Sequence, residues 1–159
     1  MRLHLMRHGH APSAAESGVA SDFERPLSPQ GREDAGRVAR ELARRGAKPA
    51  LILHSPLRRA AQTAAEAAAW LKPPQGLEAF GPLANELSVE ELAAALEQRA
   101  GGLGEVLAVG HQPQLGELTM LLSRAMFAFR PAAAVLLDIK AGAPAAFLWA
   151  CSPDEIPPL

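Results

Sequence analysis

Three separate segments of the chain combine arginine and histidine in a way that suits phosphate chemistry. Arg7 and His8 follow an apolar run near the N-terminus, Arg58 and Arg59 lie further along, and His111 follows another apolar run. A guanidinium group stays charged and donates paired hydrogen bonds to phosphoryl oxygens, and a neutral imidazole is a nucleophile. These residue types predict a site for a phosphoryl group, provided that the fold brings the segments together. An isolated Arg-His-Gly is a weak signal and also fits a polar turn.

The elements around these segments are predicted to alternate between strands and helices. Apolar runs at residues 3–6, 49–55 and 105–111 indicate buried strands, and residues 76–83 hold a short additional strand. Serine followed by a helix-like pattern predicts helix starts at Ser28, Ser55 and Ser88, with proline at the first position after the first two. A further helix begins near Pro113 and reaches about Arg124.

This alternation predicts an α/β fold, a three-layer αβα sandwich with a mostly parallel central sheet and helices on both faces. The apolar runs 133–139 and 145–151 read as a hairpin, which adds an antiparallel edge at the C-terminus. We expect one domain over residues 1–159, because this length is ordinary for a single domain. Residues 152–159 are expected to be loosely held.

Composition narrows the classes of partner and location. With 48% hydrophobic residues, 21% charged residues and a net charge of −1, the chain gives no reason to expect nucleic acid or an anionic membrane as partner. The single cysteine, Cys151, excludes an internal disulfide and a multi-cysteine zinc cluster. No secretory signal and no good membrane span are visible, so a cytoplasmic protein is expected.

The polar residues fall where the predicted strands end. In such a sheet, ligands bind beyond the carboxyl ends of the strands, and helix N-termini there favour anions. Two arginines in the first turn of a helix oppose the helix dipole unless an anion binds. The alternatives remain that Arg58 and Arg59 are solvated and that His111 bonds only to the backbone. His54 and His4 are interpreted as structural.

Three segments, in order, resemble the signatures of the histidine phosphatase superfamily, which includes the phosphoglycerate mutases. They are Arg-His-Gly at residues 7–9, SPLRRAAQT at residues 55–63 and VGHQPQL at residues 109–115. The register of the second segment places the family's arginine at Arg59, whereas Arg58 falls on a variable position. Within the family the chain most resembles the small phosphohistidine phosphatases of the SixA type, through RPLSPQG at 25–31 and NELS at 85–88.

The resemblance implies a covalent mechanism without metal or cofactor. His8 is expected to attack phosphorus and become a phosphohistidine, which water then hydrolyses. Arg7 and Arg59 hold the phosphoryl oxygens and His111 donates to another oxygen. The scattered carboxylates show no metal-ligand spacing.

Further site residues follow from the same resemblance. Gly9 and Arg25 are predicted to help bind the substrate, and Glu86 occupies the position where relatives often carry the general acid. Glu86 also lies two residues before the Ser88 cap, so it can instead favour that helix's N-terminus. His10 stands where relatives commonly carry an acidic residue, and its alternative is a plain loop residue.

The predicted substrate is a phosphorylated protein, such as a histidine phosphotransfer domain, because the connections are too short for a lid. Small phosphorylated metabolites, such as sugar phosphates or nucleotides, are the alternative substrates. A noncatalytic module that binds phosphorylated ligands is a third reading. No oligomeric state is predicted.

Overall fold

A six-stranded mixed sheet forms the centre of the computed structural model, which describes residues 1–159. The strands are β1 Arg2–Arg7, β2 Leu51–His54, β3 Leu77–Ala79, β4 Glu105–Gly110, β5 Ala134–Asp138 and β6 Ala146–Cys151. Their order in the sheet is β3-β2-β4-β1-β5-β6. The first four pair in parallel, and β5 runs antiparallel to both of its neighbours. The predicted hairpin and antiparallel edge are confirmed.

Helices cover both faces of this sheet. They are α1 Ala14–Ser17, α2 Pro29–Arg44, α3 Arg58–Leu71, α4 Val89–Ala100 and α5 Gln114–Ser123. The pair α2 and α3 packs on one face, and the pair α4 and α5 packs on the other. The predicted three-layer α/β architecture is therefore confirmed. None of these helices has the length and apolar character that crossing a bilayer would require.

Alternation along the strands divides the core into two clusters. Leu51 and Leu53 face α4 and α5, whereas Ile52 between them faces α2 and α3. All three are essentially inaccessible to solvent. Since successive side chains of a strand point to opposite faces, a wholly apolar run is what a strand buried between two helical layers requires.

Strand register brings the polar strand ends to the same height. Arg7 pairs with Gly110 across β1 and β4, and His54 pairs with Val109 across β2 and β4. His8 directly follows Arg7, and His111 directly follows Gly110. The parallel pairing therefore places both histidines at one edge of the sheet, as predicted.

Two of the three predicted serine caps are confirmed. The Ser28 hydroxyl accepts a hydrogen bond from the Gly31 N–H at 2.9 Å, and the Ser88 hydroxyl accepts one from Glu91 at 3.2 Å. The prediction for Ser55 was wrong, because residues 56 and 57 form a bend and α3 begins only at Arg58, with Leu57 at the cap position. The cap position moves two residues along the chain, and α3 has no side-chain cap.

The C-terminal segment is not loosely held, so that expectation was also wrong. Residues 152–159 pack against α2, with Ile156 buried in the same cluster as Val38 and Leu42 of this helix. Arg37 donates a hydrogen bond to the Pro153 carbonyl at 3.1 Å. Prolines and acidic residues suggested a solvated tail, but the one buried isoleucine and these carbonyl contacts hold it in place.

Candidate active site

His8 is buried at the end of β1 with one ring nitrogen held by the backbone. Its Nδ1 lies 2.7 Å from the Gly9 carbonyl oxygen. A carbonyl only accepts hydrogen bonds, so Nδ1 must carry the proton and donate it. The other nitrogen, Nε2, then carries the lone pair of the ring, which a nucleophilic role requires. In this structure the lone pair accepts a hydrogen bond from Arg59 Nε.

Arg59 lies directly beside that lone pair. Its Nε is 3.4 Å from His8 Nε2, and only 8% of the residue is exposed. Its Nη1 donates to the Asp22 carbonyl at 2.9 Å, and its Nη2 lies 3.2 Å from the Asp22 carboxylate. The guanidinium group of Arg59 thus contacts His8 through Nε and Asp22 through both terminal nitrogens. Its role in binding phosphate, which the register of the sequence motif assigns to Arg59 rather than Arg58, stays a prediction.

Asp22 is a residue of this site that the sequence reasoning missed. Its exposed carboxylate accepts a hydrogen bond from Arg25 at 2.8 Å and also contacts Arg59, and the bond from Arg25 is the main reason that its pKa is lowered. It lies in a short 3-10 turn, Asp22–Glu24, within a polar loop whose sequence carries no periodic signal. The Asp22 carboxylate therefore occupies Nη2 of Arg59, a nitrogen that could otherwise hold a bound anion.

His111 lies across the pocket from His8. The centroids of the two rings are 5.0 Å apart and the rings are tilted by 58°. His111 Nε2 lies 2.7 Å from the Ser55 hydroxyl oxygen, and both residues are buried. The structure thus brings together three segments that are far apart in the sequence.

Arg7 supplies a second guanidinium group from the end of β1. Its Nη1 donates to the Phe129 carbonyl at 2.9 Å, while its Nε is buried without a hydrogen-bond partner in the protein. Burial lowers the pKa of Arg7 from its usual value. A buried donor without an acceptor is costly, so this guanidinium is suited to an anion entering the pocket. Phe129 could not be predicted as its anchor, since any residue supplies a carbonyl.

The electrostatics of the pocket keep both imidazoles neutral. Burial lowers the pKa of His8 to about 3, and positive charge on Arg59 and Arg7 acts in the same direction. Burial, followed by Arg59, lowers the pKa of His111 to about 4. At neutral pH the guanidinium groups therefore supply the positive charge, and the imidazoles supply a lone pair and an N–H group.

One helix N-terminus at this edge has no side-chain partner. The N–H groups at the start of α3 meet no capping side chain, whereas serine caps α2 and α4. At the start of α5, Asn85 accepts a hydrogen bond from the Gln114 N–H at 3.2 Å, and Gln112 accepts one from the Gly116 N–H at 2.8 Å. Free N–H groups at a helix start attract anions, so the start of α3 is suited to an anion.

Gly9 has a structural role that the sequence motif alone does not explain. Its N–H donates to the Thr63 hydroxyl at 3.0 Å, and this hydroxyl donates to the Arg59 carbonyl at 2.8 Å. A side chain at Gly9 would place its Cβ 2.6 Å from the Gly31 carbonyl oxygen. Gly9 therefore lets the loop after β1 pack against the start of α2 and connects it to α3.

Arg25 is placed one step away from the imidazoles. Its Nε and Nη2 donate to the carbonyls of Pro12 and Ala11 at 2.8 and 2.9 Å, and its Nη1 bonds to Asp22. These contacts fasten the loop between β1 and α2. A direct contact between Arg25 and substrate stays a prediction.

Glu86 lies on an exposed loop whose neighbours anchor it beside His111. Asn85 donates to the Gln112 carbonyl at 3.0 Å, and Gln114 donates to the carbonyls of Pro82 and Leu87, each at 3.2 Å. Glu86 itself makes no hydrogen bond in the protein. A contact between Glu86 and a leaving group stays a prediction.

The remaining candidate residues lie outside the cluster. His4 bonds to Glu105 at 2.7 Å, and His54 bonds to the Ser55 carbonyl at 2.8 Å, so both have the structural contacts that were expected. Arg58 is exposed and reaches only the Glu24 carbonyl, at 3.3 Å. His10 is exposed and bonds to the Ser28 hydroxyl at 2.8 Å.

No three or more His, Cys, Asp or Glu side chains are grouped so that they could hold a metal ion. The end of β1 and the residues near it instead bring together one lone pair on His8, the guanidinium groups of Arg7 and Arg59, the imidazole of His111 and the uncapped start of α3. That arrangement can bind a tetrahedral oxyanion and present a nucleophile to its central atom.

Comparison with known proteins agrees with the family resemblance seen in the sequence. The model of the histidine phosphatase superfamily (branch 1) matches residues 3–81. Phosphohistidine phosphatase SixA of Escherichia coli (strain K12) is 31% identical over 161 residues, covering 98% of this chain and 96% of that protein. An uncharacterized protein of Picosynechococcus sp. is 40% identical over 120 residues, covering 74% of this chain and 70% of that protein.

The fold is also shared with a solved structure. The structure of the protein histidine phosphatase SixA complexed with tungstate matches this chain with a TM-score of 0.88 at 28% identity, covering 98% of this chain and 99% of the other. Similarity at this level, along nearly the whole length of both chains, shows that the chain belongs to the histidine phosphatase superfamily and resembles its SixA-type members.

Proposed function

We propose that this protein is a phosphatase that removes the phosphoryl group from a phosphohistidine on a protein, through a covalent intermediate on His8. The observation that carries the proposal is the orientation of the His8 ring. Its Nδ1 bonds to the Gly9 carbonyl, and its Nε2 lone pair lies beside Arg59 Nε at 3.4 Å. A nucleophile and the group that holds its target are thus already in position.

In the first step, His8 Nε2 attacks phosphorus in line and forms a P–N bond. The P–N bond of the substrate breaks, and the leaving imidazole takes up a proton from solvent. Arg7 and Arg59 hold the equatorial oxygens, where charge is spread in the transition state, and His111 donates to another oxygen. For Arg59 to do this fully, the phosphoryl group must take the place of the Asp22 carboxylate on Nη2.

In the second step, water attacks the phosphorus of the intermediate and releases a proton to solvent. The bond to His8 Nε2 breaks and inorganic phosphate leaves. The low pKa of His8 supports both steps, because a neutral ring is nucleophilic at neutral pH and is also a good leaving group. The chain's own guanidinium groups balance the charge, so no metal enters the scheme.

Two observations support a protein-borne substrate. The connections that flank the pocket, residues 80–88 and 111–113, are short and carry no inserted cap. The SixA protein of E. coli, which this chain resembles over nearly its full length, is named a phosphohistidine phosphatase. The tungstate complex of a SixA protein supports an oxyanion pocket of this kind.

Glu86 is proposed as the general acid for substrates with a poor leaving group. Its free carboxyl group stands on the loop that Asn85 and Gln114 hold beside the His111 segment. An imidazole leaves readily once protonated, so phosphohistidine depends less on this acid than an alkyl phosphate does.

The experiment is a rapid-quench reaction with a ³²P-labelled histidine phosphotransfer domain, with p-nitrophenyl phosphate assayed in parallel. We expect transient label on His8, release of inorganic phosphate, and loss of both in His8→Ala. His54→Ala is the control, because this histidine lies outside the pocket, and it is expected to behave like the wild type.

The other readings give different results. Turnover of small phosphate esters without turnover of the phosphorylated domain would instead assign the protein to the phosphatases of small metabolites. Binding of the phosphorylated domain without label transfer or phosphate release would identify a noncatalytic binding module and would refute the proposal.

A further inference from the structure

Ser55 and His111 form a fully buried polar pair at the bottom of the pocket. The Ser55 hydroxyl oxygen lies 2.7 Å from His111 Nε2, and it also accepts the backbone N–H of Leu57 at 3.2 Å. No other group in the protein lies within hydrogen-bonding distance of this hydroxyl. The pair is therefore simple enough for its protons to be assigned by counting donors and acceptors.

The Ser55 hydroxyl has one proton to donate, and the only acceptor within reach is His111 Nε2. If Nε2 carried the proton of the neutral ring, the hydroxyl would accept two hydrogen bonds and its own proton would be buried without a partner. Buried donors are rarely left in this state, because the loss costs about 1–3 kcal/mol. We infer that Ser55 donates to His111 Nε2 and so fixes His111 in the Nδ1–H tautomer, as a hydrogen-bond donor to the transferred phosphoryl group.

The other side of the His111 ring agrees with this assignment. His111 Nδ1 makes no hydrogen bond within the protein, and it is not sealed from solvent as the partnerless Arg7 Nε is. The centroid of the His111 ring lies 5.0 Å from that of the His8 ring, so His111 is near a phosphoryl group attached to His8. A proton on Nδ1 is thus available to a phosphoryl oxygen, whereas a lone pair there would repel it.

The inference gives Ser55 the role of a positioning residue, since it acts through His111 and does not touch the substrate. It also explains why the Ser55 hydroxyl does not cap α3. The functional part of the inference rests on the proposed phosphatase activity. The assignment of the tautomer does not, and it can be tested without any substrate.

The test is two-bond ¹H–¹⁵N correlation NMR of the full chain, labelled at the histidine ring nitrogens, at neutral pH. His111→Gln identifies the His111 resonances by their loss. We expect a protonated Nδ1 and an unprotonated Nε2 in the wild type, and a mixture with the Nε2–H form in Ser55→Ala. Added inorganic phosphate is expected to shift the Nδ1 resonance more than Nε2.

The inference would be overturned if His111 of the wild type carried its proton on Nε2. It would also be overturned if the His111 resonances of Ser55→Ala were the same as those of the wild type. In the kinetic arm, Ser55→Ala is expected to lower kcat about tenfold with little change in KM, because a donor to the developing charge is misplaced. Thr119→Val is the matched control. It also removes a buried hydroxyl, bonded to the Leu115 carbonyl in α5, and it is expected to leave the His111 resonances and kcat unchanged.

Failure of the proposed function would be visible separately. A wild type that never becomes labelled on His8 refutes the phosphatase mechanism, whatever the tautomer of His111. If the wild type is labelled on His8 but Ser55→Ala has the same kcat as the wild type, only the positioning role of Ser55 is refuted.

Discussion

Arg58 and Arg59 are neighbours in the chain with entirely different surroundings. Arg59 is buried and contacts His8 and Asp22, whereas Arg58 is exposed and reaches one backbone carbonyl. Lysine keeps the charge of arginine but loses its planar fork. We therefore expect Arg59→Lys to lower kcat/KM about a hundredfold and Arg58→Lys to change it by less than about twofold.

The two variants are each other's control, since they make the same chemical change in adjacent residues. Steady-state hydrolysis of p-nitrophenyl phosphate measures both. Equal losses in the two variants would show that the motif register, and the geometry that agrees with it, points to the wrong arginine.

The buried histidines predict a pH dependence of stability. In the unfolded chain His8 has a pKa of about 6.5, and in the folded protein burial lowers that pKa to about 3. As the pH falls below 6.5, His8 becomes protonated in the unfolded chain but stays neutral in the folded protein. The free energy of unfolding therefore decreases with falling pH until His8 also becomes protonated in the folded protein, near pH 3.

At about pH 4.5 this single group is expected to have removed about 2–3 kcal/mol from the free energy of unfolding, relative to about pH 7.5. His8→Gln lacks the titrating ring, so its free energy of unfolding should fall less over the same range. Urea unfolding of both proteins at the two pH values measures the difference. Parallel pH dependences would mean that His8 titrates normally in the folded protein.

At the residue scale, sequence reasoning found the side chains whose chemistry is distinctive and missed those that act by position. His8 and His111 were predicted because several segments bring imidazole and guanidinium groups to one edge of the sheet, and Arg59 was chosen over Arg58 from the register of the family motif. Asp22 was missed, because an aspartate in a polar loop is usually a solvated residue. Its contact with Arg59 depends on how the whole loop between β1 and α2 folds back.

At the scale of elements, the loop after β1 is pressed against the start of α2. A Cβ on Gly31 would lie 2.2 Å from the His10 carbonyl oxygen, a contact that only backbone movement relieves. We expect Gly31→Ala to lower stability by about 1–3 kcal/mol. It should also lower kcat about tenfold, because the loop that holds His8 must shift.

Gly104→Ala is the control for this change, because no atom lies within 4 Å of the position that its Cβ would take. Thermal unfolding followed by circular dichroism, together with p-nitrophenyl phosphate hydrolysis, measures both variants. A Gly31→Ala protein with wild-type stability and kcat would show that α2 does not constrain the catalytic loop.

The loop before α4 carries a second prediction at this scale. Glu86→Gln is expected to lower kcat about a hundredfold for a phosphoserine peptide, whose alkoxide must be protonated as it leaves, and by less than about fivefold for a phosphohistidine peptide. Glu90→Gln, an exposed carboxylate in the first turn of α4, is the control. Equal effects on the two substrates would leave Glu86 without a role as general acid.

Helix starts illustrate what sequence could and could not predict about the elements. Ser28 and Ser88 were correctly predicted as caps, since each directly precedes a helical pattern. Ser55 carries the same Ser-Pro signal as Ser28, yet it lies two residues before the cap position of α3, Leu57, and bonds to His111. A local pattern cannot distinguish a capping hydroxyl from one that serves a residue 56 positions away.

For the whole molecule, the order of strands and helices was sufficient to predict the three layers. Fully apolar strands such as residues 51–53 require cover on both faces, and the helices between them provide it. The position of β1 between β4 and β5 could not be derived from any single segment. It depends on pairings between distant parts of the chain, and it places His8 next to His111.

The C-terminal segment was the main error at this scale, and it leads to a stability prediction. Ile156 is 7% exposed and lies in the apolar cluster between α2 and the sheet, whereas Leu159 in the same segment is 58% exposed. Removing a buried isoleucine side chain leaves a cavity, so Ile156→Ala is expected to lower the free energy of unfolding by about 2–4 kcal/mol. Leu159→Ala should change it by less than about 0.5 kcal/mol. Neither residue lies near His8 or His111, so kcat should be unchanged in both variants. Urea unfolding measures the stability of both. Equal free energies of unfolding for Ile156→Ala and Leu159→Ala would mean that the segment is detached in solution.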